Sequence, residues 1–204
     1  MKKLVTHQGV TAPLLRTNID TDAIIPSREM KLVSKKGLGE GLFAGWRYTE
    51  AGGRTPNPDF ILNKEAYKNT SILLSSKNFG CGSSREHAVW ALAEYGIRVI
   101  IASSFGAIFY GNCTRNGILP VVLPDEVIVE LAAQIEDPQK DKVTVDLAEK
   151  VVISVKGEKH PFIISKGCRE MLLEGLDQIG VTMRQGADIV NFESLYSKRR
   201  SWLY

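Results

Sequence analysis

The sequence predicts an α/β protein with a mixed, mainly parallel sheet flanked by helices. Two observations carry this. Short apolar runs of strand length alternate with helical stretches between Ser71 and Leu123, and three further β-rich pieces follow before the chain turns helical again.

Taken in order, the apolar pieces Thr11 to Leu15 and Ile24-Ile25 flank the polar stretch from Arg16 to Asp22 and read as strand, loop, strand. From about residue 27 to 60, Gly37, Gly39, Gly41, Gly45, Gly52, Gly53, Pro56 and Pro58 follow in quick succession, which predicts a long surface loop. Ser71–Ser75 is a strand, Asn78–Gly82 a turn, Ser84–Tyr95 a helix, Val99–Ala102 a strand, Phe105–Thr114 a helix and Ile118–Leu123 a strand. That alternation implies right-handed βαβ crossovers and parallel pairing. Asp125 to Ile135 forms a helix stopped by Asp137-Pro138. Val143–Val145, Val151–Val155 and Pro161–Ile164 read as an antiparallel meander turning at Lys156-Gly157-Glu158. Helices at Cys168–Leu176 and Ala187–Tyr196 complete the chain, the last inside a helical tail of about 183–204. With 204 residues and 44% hydrophobic content, the expectation is one domain over 1–204 with one sizeable core.

Composition narrows the function classes. A formal net charge of +3 is too mild for nucleic acid or an anionic membrane, which call for a clustered basic face, and the run Lys198-Arg199-Arg200 reads as a solvated tail. Met1 to Val10 lacks an apolar signal segment and no stretch approaches the roughly 20 apolar residues of a membrane helix, so a cytoplasmic protein is expected. Cys81, Cys113 and Cys168 are odd in number, scattered and without a C-x-x-C pair, which argues against disulfides, zinc or a cluster held by this chain alone; no metal is expected on it.

The segment from Asn78 to His87 carries the chemistry. Gly80 and Gly82 permit a tight turn and close approach, Ser83 and Ser84 bring hydroxyls and amides to a helix start, and Arg85 adds a planar guanidinium suited to a carboxylate. Ser83 with Glu86 also fits a capping box, which needs no ligand, and one serine can cap while its neighbour faces a substrate. The concentration of these residues at one βα turn, where open parallel sheets bind ligands, favours an anion site. Asp20 and Asp22 suit Asx-type turns, and Asp22 equally suits orienting Arg85 or Ser83. His87 reads as a structural hydrogen bonder.

Phe79-Gly-Cys-Gly-Ser-Ser-Arg-Glu-His87 resembles the serine–arginine signature of the swivelling β/β/α domain of the aconitase superfamily. Asn18 to Pro26 is similar to that family's early Asp-Thr-Asp loop, and Ser104–Asn112 with Asn116–Pro120 to its second helix and following strand. Leu176–Thr182 and Ser201–Leu203 resemble the tails of bacterial small subunits of 3-isopropylmalate dehydratase, so the resemblance spans nearly the whole chain. Thr114-Arg115 departs from it, since more neutral residues stand there in the family.

The resemblance implies a hydro-lyase component active only with a large subunit that carries a 4Fe–4S cluster, interconverting 2- and 3-isopropylmalate by dehydration and rehydration in leucine biosynthesis. It implies Ser83 as the base and Ser84 and Arg85 as carboxylate ligands; Asp20 and Asp22 in the other polar loop are the candidate supporting residues. Substrate choice is expected in Ser27–Lys36, where Met30, Leu32 and Val33 are the apolar candidates among Arg28, Lys31, Lys35 and Lys36. A methylmalate or homoaconitate hydro-lyase of the same family, or a non-catalytic diacid-binding module, are the competing readings.

Overall fold

A computed structural model describes residues 1–30, 34–83, 85–200 and 202. Its strands form one seven-stranded sheet in the order β4-β3-β2-β1-β5-β6-β7. β1 (Thr6–Leu14), β2 (Thr70–Ser75), β3 (Val99–Ala102) and β4 (Leu119–Val122) run parallel. β5 (Val143–Asp146), β6 (Val151–Ile153) and β7 (Lys159–Pro161) continue the sheet as an antiparallel meander. β1 is the hinge between the halves: Thr6–Gly9 pairs with β5, and from Val10 onward the strand pairs with β2 across a register shift. Gly9 sits at that switch because a Cβ there would stand 1.9 Å from Ser71 Oγ.

Successive residues of the central strands point to opposite faces, as the period of two requires. Leu73 and Ile100 join one core, with Ala88, Val89, Ala91 and Leu92 of helix α3 (Glu86–Tyr95) and Phe109 and Cys113 of α4 (Ala107–Arg115). Ile72, Leu74, Val99 and Ile101 join the other, with Ile128 and Leu131 of α5 (Asp125–Ala133) and Leu172 of α6 (Lys166–Glu174). Helices thus cover both faces of the sheet, as a buried parallel sheet demands.

Three sequence expectations need correcting. The pair Ile24-Ile25 is not a strand: Thr21–Ile24 is a single helical turn, α1, because the Asp20 carboxylate accepts from the Ala23 amide at 2.6 Å and caps it. The third strand of the meander is Lys159–Pro161 rather than Pro161–Ile164, and Ile163 stands 90% exposed beyond it. The glycine-rich segment is not a surface loop throughout. Leu38, Leu42, Phe43, Phe60 and Leu62 are buried in the α3-side core, and the short helix α2 (Ala44–Arg47) brings Trp46 into a stack with Phe43 at 5.6 Å between centroids. At the chain's end, helix begins at α7 (Gln178–Met183) and continues as α8 (Gly186–Arg199), with no buried residue in either.

One carboxylate anchors the glycine-rich segment to α3. Glu94 accepts from the amides of Gly37 and Gly39, each at 2.7 Å. Burial on its own would push this carboxyl up, but the amides of Gly37, Gly39 and Leu38 outweigh it and hold the group below its ordinary value of 4.5. A carboxyl lowered by folding stabilises the fold above its unfolded pKa, and that contribution is lost as pH falls through the lower folded value. Hydrogen exchange at the Gly37 and Gly39 amides is therefore expected to be slow near neutral pH and to lose protection as pH drops below 4.5. Glu94→Ala should remove the protection at every pH, and protection that survives acid unchanged would contradict the anchoring role.

Candidate active site

The loops that leave β1, β2 and β3 run side by side beyond the C-terminal edge of the parallel strands and are zipped together through their backbones. The Gly80 amide donates to the Ile19 carbonyl at 2.7 Å and the Thr21 amide to the Cys81 carbonyl at 3.0 Å. On the other side the Phe79 amide donates to Ser104 at 3.0 Å and the Gly106 amide to Phe79 at 2.9 Å. Asn78 Nδ2 donates to Asn18 Oδ1 at 2.8 Å and reinforces the first seam. The approach is so close that two positions admit no side chain. A Cβ on Gly80, whose φ is +71°, would meet the Phe109 ring at 2.1 Å, and one on Gly106 would meet the Gly80 carbonyl at 2.5 Å.

Between these loops opens a pocket of about 310 Å³. One wall is Gly82, Ser83 and Arg85; the other is the first turn of α4, with Ala107, Ile108 and Phe109, and Asn112 one turn further in. Gly106 caps α4 with no side-chain hydrogen bond, so its leading amides and the positive end of the helix dipole lie at the pocket. Ser83 is exposed at the rim, and its carbonyl accepts from Thr21 Oγ1 at 3.0 Å and from the Arg85 amide at 2.9 Å. Arg85 Nη1 donates to Asp22 Oδ1, and among the described residues no other partner takes the remaining guanidinium donors. Asp20 is occupied as the cap of α1.

The capping box expected from Ser83 and Glu86 does not form. α3 starts at Glu86, Arg85 stands at its cap position without a side-chain cap, and Glu86 Oε1 instead accepts from Asn116 Nδ2 at 2.7 Å. Asn116 also accepts the Trp90 indole N–H at 3.0 Å, so the start of α3 is tied across to the end of α4. His87 packs its ring 4.8 Å from that of Trp90, and no hydrogen bond of its side chain is seen among the described residues. Ser84, Leu32 and Val33 lie outside the described residues. Met30 follows the turn Ser27–Glu29, packs against the α3-side core and does not line the pocket.

Sequence reasoning missed the α4 side of the pocket. Its one legible signal was a glycine, Gly106, placed just before a helix in the neighbouring βα turn. No group of three or more His, Cys, Asp or Glu among the described residues could hold a metal ion. Cys113 is fully buried and its thiol is pushed well up by that burial, so the thiolate that ligates iron is disfavoured there. Among the described residues, none is part of a helix long and apolar enough to cross a membrane.

Comparison with known proteins adds to this geometry. Residues 1–126 match the aconitase C-terminal domain family. The chain is 54% identical to the 3-isopropylmalate dehydratase small subunit of Cupriavidus necator, over all of this chain and 99% of that one. It is 46% identical to the protein of the same name from Rhodospirillum centenum, over 99% of this chain and 98% of the other. Among solved structures, a crystal structure of 3-isopropylmalate dehydratase from Methanocaldococcus jannaschii aligns with a TM-score of 0.68 and 25% identity, over 92% of this chain and 99% of that one.

The close approach of the loops is testable by filling it. Gly80→Ala combines a positive φ with a collision against Phe109 and is expected to destabilise the fold by roughly 2–5 kcal/mol. Urea unfolding measures this, and an unchanged midpoint would mean that the loops have room to separate.

Proposed function

Because the chain belongs to the 3-isopropylmalate dehydratase small-subunit family and carries the aconitase C-terminal domain, we propose that it isomerises 2- and 3-isopropylmalate by dehydration and rehydration, in leucine biosynthesis, jointly with a large iron–sulfur subunit. Among the described residues, no group of three or more His, Cys, Asp or Glu could hold an iron–sulfur cluster. A cluster carried by the large subunit would supply the Lewis-acid chemistry for the departing hydroxide. This chain supplies the rest: the base, the carboxylate grip and part of the alkyl surface.

One observation carries the assignment. Ser83 and an Asp22-tethered Arg85 stand on one wall of a pocket whose other wall is a helix mouth with apolar side chains. A dianionic substrate needs concentrated donors, and Arg85 can offer two parallel hydrogen bonds to a carboxylate while Asp22 fixes its plane. Ser84 assists Arg85, and Asp20 holds the turn that carries Asp22. Ser83 Oγ takes the proton from the carbon next to the one that loses hydroxide. A serine hydroxyl is far too weak an acid to ionise in water near neutral pH, so its ionised form requires the nearby guanidinium and helix amides, oriented before the reaction begins. Ala107, Ile108 and Phe109 suit the isopropyl group, and Met30, Leu32 and Val33 are the specificity segment that the family resemblance implies. We place the enzyme in the cytoplasm, and read 1–204 as one swivel-type domain with a helical tail from about 183.

Coexpression with the iron–sulfur large subunit, purification without oxygen and assay of 2-isopropylmalate isomerisation test the assignment. Turnover is expected, and an intact cluster with bound small chain but no turnover would sink it. In the same assembly Ser83→Ala should lower kcat by about 10³-fold, within the range general bases contribute, without loss of subunit binding. Arg85→Lys should raise KM by roughly 10- to 100-fold through loss of one charged hydrogen bond. Near-normal values in either variant would remove that residue from its role.

A further inference from the structure

Resting on the isomerase assignment, we infer that Asn112 is a further substrate-binding residue, whose side-chain amide donates to a carboxylate of the hydroxy-diacid from deeper in the pocket than Arg85. Asn112 is only 6% exposed, yet it lines the pocket. It follows Ile108, which is 59% exposed, by one helical turn, so the two share a face of α4, one at the rim and one within. Its backbone carbonyl accepts from the Asn116 amide at 3.1 Å and from Asn116 Nδ2 at 2.9 Å, which pins this turn of the helix. Its carboxamide has no hydrogen-bond partner among the described residues.

The neighbouring asparagines behave differently. Asn78 is bonded to Asn18 through their side chains, and Asn116 uses both ends of its amide, toward Trp90 and toward Glu86. Buried polar groups are almost always satisfied, and the Asn112 amide is not among the sealed, unpartnered atoms of the core, so it opens to the pocket. A neutral amide suits that place. It donates to a carboxylate without needing a counter-charge of its own, beside helix amides that favour the same anion. A second grip also serves the reaction, since moving a hydroxyl between adjacent carbons requires the substrate to be held at both ends.

The test uses the assembled enzyme with 2-isopropylmalate, reading KM and kcat by turnover and Kd by titration calorimetry. Asn112→Asp keeps the size of the side chain but sets a carboxylate against a carboxylate. It should raise KM and Kd at least about tenfold while kcat changes less than about threefold. Asn112→Ala should raise both by a smaller factor. Unchanged KM and Kd in Asn112→Asp, or a fall in kcat at constant KM, would overturn the inference, as would failure of both variants to assemble. If the wild-type enzyme binds the diacid without isomerising it, the functional assignment fails and the Kd comparison still decides Asn112. If wild type does not bind it at all, both fall.

Discussion

The site depends on the absence of two methyl groups. Gly80 lets its loop lie against the Phe109 ring, and Gly106 lets the next loop lie against the Gly80 carbonyl. Because both approaches are closer than any Cβ permits, the backbones of three loops bond to one another outside the sheet, and each hydrogen bond of that seam fixes a functional group. The Thr21–Cys81 bond sets Asp22 within reach of Arg85, and the Gly106–Phe79 bond brings the mouth of α4 opposite Ser83. The pocket is thus a property of main-chain packing, and its side chains are hung on a frame they do not build.

That frame is in turn held from behind. The cross-tie from Glu86 through Asn116 to Trp90 joins the two helices whose starts flank the pocket, and the Phe79 ring meets both Phe105 and Phe109 edge-on, at 6.2 and 5.5 Å. Aromatic edges and one asparagine therefore set the distance between the serine–arginine wall and the α4 wall. Rigid support of this kind is what an orientation-dependent reaction needs, because small displacements of a catalytic group are expensive in rate.

Much of this was legible in the chain, for identifiable reasons. The parallel half announces itself because β2 and β3 are buried on both faces and so read as unbroken apolar runs. The turn from Gly80 to Arg85 is legible because unusual residue types are concentrated there. Ile24-Ile25 misled because two β-branched residues resemble a strand, whereas the deciding element, the Asp20 cap, lies four residues earlier. The glycine-rich segment misled because Leu38, Leu42, Phe43 and Phe60 follow no period, although all are buried. The amides of α4 carry no side-chain signal at all, and a polar residue on a helix, such as Asn112, is ordinarily read as facing water.

The double partnership of β1 also bears on how the chain reaches its final form. Thr6 pairs with Asp146 and Gly9 with Val143, so half of the first strand waits for a segment synthesised some 140 residues later. On the ribosome, everything that shapes the pocket, through the end of α4, emerges while that stretch is still an open edge with free peptide donors and acceptors. The meander β5–β7 therefore acts as a late closure, and the nascent chain is most vulnerable to mispairing with its neighbours just before Val143 emerges.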